Sequence, residues 1–479
     1  MRKKFVTNLA FVLALNLFIK PIWIFGIDRT VQNVVGAADY GLYFSLFNFS
    51  FLLNILLDIG ITNFNNRNIA QNNHLLNKHF SSLVILKIML ACVYMTATLL
   101  CGLLIGYDVR LMKLLFVLGV NQFLISFILY LRSNLAGLHL FKTDSVVSIL
   151  DRVIQITLCA SILWGHVFNL KMDIMLFVYA QTTGYFLTAL ITSIIVMKKA
   201  KFLKLKWHFA FFIMILKQSY PFAVLVLLMS FYNRIDSVML ERMLPDGATQ
   251  SGIYAQAFRL LDASNMIAFL FAGLLLPIFS RMIKYKESVE HLVKLSFTML
   301  ITLSVIVAAG CFFYSHEMMS FLYKANTEYS SPVFGILMSC FIAISTTYVF
   351  GTLLTANNNL KQLNIMAACG MVINILLNFY LIPHYKALGS ACASLTTQFL
   401  TATAQVIIVQ YVFKFKINYR LISTILVFIA GVIFINYFSK QMPYDWKINF
   451  VLMGAGCILW AFIIKLIRIK SMLRILKYG

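Results

Sequence analysis

Apolar stretches of membrane length follow one another along almost the whole chain, and that succession allows very few folds. The first, Phe5–Ile27, is broken by Lys20 and Pro21 and ends at Asp28-Arg29. After a short polar link comes "YGLYFSLFNFSFLLNILLDIGI", Tyr40–Ile61, which stops in an Asn-rich segment carrying Arg67. About 20 apolar residues are what a helix needs to cross the hydrocarbon core. Every backbone polar group in lipid must be paired within the protein, so only helices and closed barrels can span it. These runs are too long for barrel strands. The chain reads as an all-α polytopic membrane protein. Its 61% hydrophobic and 12% charged residues and its mean hydropathy of +0.86 agree, because a soluble domain carries roughly a quarter charged residues.

Spans are expected at 5–27, 40–61, 80–105, 111–131, 146–168, 173–197, 213–240, 252–279, 292–314, 331–356, 361–382, 387–413, 420–438 and 446–467, about fourteen in all. The start, "MRKKFVTNLAFVLAL", is expected to be a retained first helix, since its apolar run is long for a signal peptide and no A-x-A site follows. The net charge of +24 does not indicate nucleic acid, because the Lys and Arg residues punctuate the apolar runs and do not form one basic face. Most fall at inner ends and loops when the N-terminus is inside, as in Lys198–Lys206 and the tail from Lys465. The positive-inside rule then places both termini in the cytoplasm. The eight Cys show no C-x-x-C pair and read as small hydrophobes.

No nucleotide loop, H-E-x-x-H or G-x-S-x-G motif is present, and no loop is long enough for a folded soluble domain. A transporter, not an enzyme, with no cofactor or metal, is the expectation. A weak internal repeat supports it. Gly41-Leu42-Tyr43 opens the second span and Gly252-Ile253-Tyr254 the eighth, and the preceding spans end in Asp28-Arg29 and in Arg234 with Asp236. Lobes at 1–206 and 207–415, followed by two trailing helices and a basic tail at 416–479, fit best. Repeated transporters place substrate between lobes and alternate access by rocking them.

Segments 35–70, 219–240 with 251–263, and "NILLNFYLIPHYKALGSACASL" (374–395) carry a family resemblance. In order and spacing the chain resembles the Wzx-type O-antigen and capsule flippases, the polysaccharide-biosynthesis branch of the MOP superfamily. It is more distantly similar to lipid II flippases and MATE drug exporters. The resemblance implies two pseudo-symmetric six-helix lobes plus two C-terminal helices around a basic central cavity. It also implies translocation of undecaprenyl-pyrophosphate-linked oligosaccharide to the outer leaflet of a bacterial inner membrane, in lipopolysaccharide or capsule assembly. The implied partners are that lipid, the membrane lipids and other polysaccharide assembly proteins. A MATE-like multidrug exporter and a membrane polymerase or ligase are the competing readings.

Intramembrane charges cost on the order of 3 kcal/mol and mark cavities or paths. Lys20 lies seven residues from the expected end of its span, about 10 Å deep at ~1.5 Å per residue. Arg234 and Arg259 lie at similar distances from their span ends, so three cations are expected at one depth. Arg chelates phosphate oxygens with two donors, while Lys acts as a point charge. Snorkelling is the plain alternative for Lys20, an i,i+3 pair with Asp262 for Arg259, and a pair with Asp236 or Glu241 for Arg234. Arg67, Arg152 and Lys217 are further cations for a cytoplasmic mouth. Asp28, Asp236 and Asp262 are candidates for ion coupling or for neutralising their neighbours. Pro21 and Pro221 each remove an i→i−4 hydrogen bond and are expected to kink gating helices.

Overall fold

The structure, a computed structural model, describes residues 18–62, 65, 69, 75–138, 140–165, 171–199, 209–415 and 418–466. Arg67 lies outside them. Among the described residues there is no strand, and the helices are fourteen: α1 (Arg29–Val35), α2 (Ala37–Leu52), α3 (Leu75–Ile105), α4 (Val109–Gly137), α5 (Phe141–Leu163), α6 (Ile174–Lys199), α7 (Phe209–Met243), α8 (Gly247–Lys284), α9 (Glu290–Phe313), α10 (Ser315–Leu322), α11 (Thr327–Ala356), α12 (Leu360–Phe413), α13 (Tyr419–Lys440) and α14 (Trp446–Ile463). A π-helical turn, Ile22–Asp28, leads into α1, and a 3₁₀ turn, Asn54–Leu57, follows α2.

Eleven of these helices are long and apolar enough to span a bilayer. The 54-residue α12 is two of the expected spans in one. Lys386, at φ 52° and ψ −132°, breaks it, and Ser390 Oγ donates to Asn378 Oδ1 at 2.9 Å. Twelve residues of straight helix would separate those two by ~18 Å, so the bond proves a hairpin. Gly389 allows the close approach, since a Cβ there would sit 2.3 Å from the Leu381 carbonyl oxygen. The amphipathic α10 is a short helix that hydropathy did not mark.

Two expected boundaries move. The first helix does not stop at Ile27; it continues to Val35, because backbone hydrogen bonding carries a helix on into polar sequence beyond the apolar run. Lys20 is therefore about 20 Å from that helix end and not about 10 Å. Arg234 is about 13 Å from Met243 and Arg259 about 18 Å from Gly247. The second helix ends early, at Leu52 and not Ile61, and the chain turns through Ile59 (φ 40°) and Gly60 (φ 80°). A fully buried Lys87 on α3 organises that turn. Its Nζ bonds the Asp58 carboxylate, donates to the Leu57 carbonyl at 3.0 Å and donates to Ser126 Oγ of α4 at 2.9 Å.

The chain divides into two compact units, Met1–Glu241 and Arg242–Gly479, so that α7 groups with the first. Within the first, α4 packs against α2, α3, α5 and α6; within the second, α11 packs against α8, α9, α10 and α12. Lipid tails supply no hydrophobic drive between helices, so small residues and interhelical hydrogen bonds hold them. A Cβ on Gly184 of α6 would lie 2.5 Å from Gln155 Cγ of α5. Tyr43 of α2 shares a hydrogen bond with Gln181 of α6, whose Nε2 lies 3.0 Å from the phenol oxygen. In the second unit Tyr254 of α8 meets Ser394 Oγ of α12 at 3.2 Å. The repeated Gly-x-Tyr thus makes the same kind of interhelical bond in each unit.

Candidate functional site: a cationic and aromatic face of the first unit

The π-helical turn after Pro21 widens the first helix where Trp23 points inward. Trp23 is buried and stacks on Phe177 of α6 at 5.9 Å. Over its ring, at 5.0 Å, lies the Arg152 guanidinium, which also faces the Tyr185 ring at 5.9 Å. Arg152 Nη1 donates to Gln155 Oε1 at 3.1 Å, and Nε sits 3.9 Å from Asp151. Gln155 is fixed in turn by donating to the Gln181 carbonyl at 3.2 Å.

Lys20 lies within electrostatic range of Arg152, Asp151 and Arg132. Arg132 of α4 forms a two-pronged pair with Asp144 of α5, at 2.7 and 3.3 Å. Three cations thus share one neighbourhood with two carboxylates, and the side chains of Arg132, Asp144, Arg152 and Asp151 are half-buried. The local surplus is positive. A half-buried guanidinium over an indole suits a phosphate oxygen.

Asp28, one of the acids considered for ion coupling, is buried, and Tyr40 places its hydroxyl 2.8 Å from both carboxylate oxygens. Arg234 also belongs to the first unit. Its Nη1 donates to Asn48 Oδ1 at 3.3 Å and its guanidinium covers the Phe51 ring at 5.1 Å. Asn48 Nδ2 donates to Ser237 Oγ at 2.8 Å, tying α2 to α7 beside the buried Asp236. Lys217 is exposed on α7, and that helix continues through Pro221. Arg259 and Asp262 are half-buried on α8, in the second unit.

The structure therefore sets Lys20 within electrostatic range of Arg152 and Arg234 on a separate α2–α7 seam. Sequence reasoning missed Trp23 and Arg132 as members of the first group. The only available signal was a Trp two residues after a proline inside an apolar run. Among the described residues no three His, Cys, Asp or Glu side chains are grouped to hold a metal. All eight cysteines are free thiols.

Among solved structures, the chain is similar to a lipid II flippase, MurJ, in an inward closed conformation, with a TM-score of 0.67 and 14% identity over 96% of this chain and 98% of that one. It is also similar to a MOP-superfamily transporter from Pyrococcus furiosus, with a TM-score of 0.61 and 13% identity over 84% and 92%. A third similar structure is an inward-facing multidrug resistance MATE transporter, with a TM-score of 0.55 and 12% identity over 85% and 100%. A search of curated proteins finds no match. At these identities the likeness establishes the fold. The family model described as "Polysaccharide biosynthesis protein" matches residues 8–283, more than half of the sequence. The chain belongs to the polysaccharide biosynthesis protein family, and it is a multi-pass helical membrane protein with the fold of the MOP-superfamily transporters.

Proposed function

We propose that this protein is a flippase for undecaprenyl-pyrophosphate-linked oligosaccharide. It moves the lipid from the cytoplasmic to the outer leaflet of a bacterial inner membrane by alternating access, with both termini in the cytoplasm. The observation that carries this reading is the Arg152 guanidinium resting on Trp23, with Lys20 within electrostatic range of it. Two cations on different helices at membrane depth are costly unless they meet an anion or a watery path. The diphosphate of a polyprenyl carrier supplies the anion.

Membership in a polysaccharide biosynthesis family supports a glycan-bearing cargo over a drug. The protein's part is to bind and release; no covalent step is required of it. In this mechanism Arg152 grips a phosphate oxygen, Lys20 adds charge without fixed geometry, and the Arg132–Asp144 pair keeps Arg132 from competing for the same oxygens. Asp28, held by Tyr40, and Asp236 and Asp262 are the acids available to couple an ion gradient to the cycle.

The test is export of surface polysaccharide in cells carrying only Lys20→Ala, Arg152→Ala or Arg234→Ala forms at matched membrane levels. Loss of export with accumulation of inward-facing lipid-linked glycan is expected for Lys20 and Arg152. Undiminished export in all three variants contradicts the reading. Drug resistance on expression, with export untouched, points to an exporter instead.

A further inference from the structure

A second basic site lies within the Arg242–Gly479 unit. The α13–α14 hairpin packs on α9 through an apolar seam that includes Val305, Phe428, Val432, Met453 and Cys457. At one end of that seam the three helices leave a cavity of about 520 Å³. His291 and Lys294 from the start of α9, Arg420 from the start of α13 and Lys465 just past the end of α14 line it, and no lining residue is acidic. The N-terminus of α13 opens into the same space. Its cap, Asn418, accepts from the Leu421 amide at 2.9 Å, and the helix end adds partial positive charge. The opposite end of the seam is neutralised differently: Lys440 pairs with Glu317 at 3.2 Å, and the Tyr314 hydroxyl meets Ser439 Oγ at 2.7 Å.

Acid-free basic cavities between helix ends are where anionic head groups settle, because each Lys or Arg near the membrane surface adds to attraction for a phosphate. The floor here is the apolar seam itself, which suits an acyl chain. The charged side chains are exposed at the rim, so they face a ligand arriving from the head-group layer. We propose that this cavity binds the phosphate head group of an anionic membrane phospholipid, held as a resident lipid at the junction of α9, α13 and α14. The topology proposed above places it on the cytoplasmic side, and the assignment rests on that reading only for its side.

The experiment is native mass spectrometry of the full-length protein released from vesicles of mixed phosphatidylglycerol and phosphatidylcholine. It compares the wild type with Arg420→Ala/Lys465→Ala and with Lys294→Ala. The expected result is retained phosphatidylglycerol in preference to phosphatidylcholine. Removing one cation should cut that preference by about fivefold, and removing two by about 30-fold. Equal retention of the two lipids, or undiminished preference in the double variant, overturns the proposal. A parallel arm adds glycerol 3-phosphate to lipid-stripped protein. Thermal stabilisation by it, together with no retained lipid, keeps the phosphate chemistry but removes the lipid as its source. Because lipid retention is read without any transport, a failed flipping assay leaves this result intact, and the reverse holds too.

Discussion

The guanidinium of Arg152 lies 5.0 Å over the ring of Trp23, joining the first helix to α5 across about 130 residues of chain. A cation over an indole gains from about 0.5 kcal/mol when exposed to about 2 kcal/mol when desolvated. Trp23→Ala should therefore lower transport by fivefold or more, while Trp23→Phe keeps a ring and part of the activity. In a double-mutant cycle with Arg152→Ala the two losses should fall short of additive. Initial transport rates at matched protein levels check this; independent, additive losses count against a shared site.

Lys87 is the most deeply buried cation among the described residues whose partners are all defined, and the turn after α2 hangs on it. Lys87→Ala leaves the Asp58 carboxylate without its cation and with hydrogen bonds from Thr62 alone, and it leaves the Leu57 carbonyl with only Ser126 Oγ at 3.2 Å, at a cost on the order of 3 kcal/mol. Lys87→Met combined with Asp58→Asn removes both charges and should recover much of that loss. Thermal unfolding in detergent measures both. A fall in stability no larger than about 0.5 kcal/mol for the single variant shows that the pair does not hold the turn.

The α12 hairpin makes a sharper steric claim. A methyl group at Gly389 meets the Leu381 carbonyl oxygen at 2.3 Å, and backbone cannot step aside as a side chain can. Gly389→Ala should destabilise by about 1–3 kcal/mol. Ser390→Ala, which loses only the bond to Asn378, should cost less, about 1 kcal/mol. Equal stability of Gly389→Ala and wild type shows that the two arms do not approach so closely.

Asp246 sits in the link before α8, where Lys386 Nζ donates to it at 2.9 Å and Gln250 Nε2 at 3.0 Å. The hydrogen bond from Lys386 holds the Asp246 carboxyl below its usual range. A depressed folded-state pKa contributes stability above the unfolded value near ~3.9, and that contribution is lost as pH falls through the folded value. The pair is well exposed and its effect is the smallest in this set. Unfolding profiles of the wild type and Asp246→Asn should run parallel above pH ~5 and converge below pH ~3; a gap that widens in acid contradicts the assignment.

The spans were legible because hydropathy records the lipid. Their ends were less so, because hydropathy does not record where a helix stops. Residues 28–35 are polar enough to lie outside the lipid and still continue the first helix, and Asp58 with Lys87 ends α2 inside an apolar run. The hairpin at Lys386 was legible as a polar break between two runs. Lys20 and Arg152 were each legible as cations out of place. Their meeting was not, since no periodicity links α5 to the first helix. Arg132 passed as a topology signal because the Asp144 that pairs with it lies on a different helix.

The most direct measurement is flipping of a fluorescent polyprenyl-diphosphate-linked oligosaccharide in proteoliposomes, read by access of a membrane-impermeant quencher. Wild-type protein should expose the internal lipid to the quencher. Lys20→Gln/Arg152→Gln at equal thermal stability should slow that exposure at least tenfold, and Lys20→Arg should restore much of the rate when Arg152 is intact. Wild-type flipping by the double Gln variant would contradict the account.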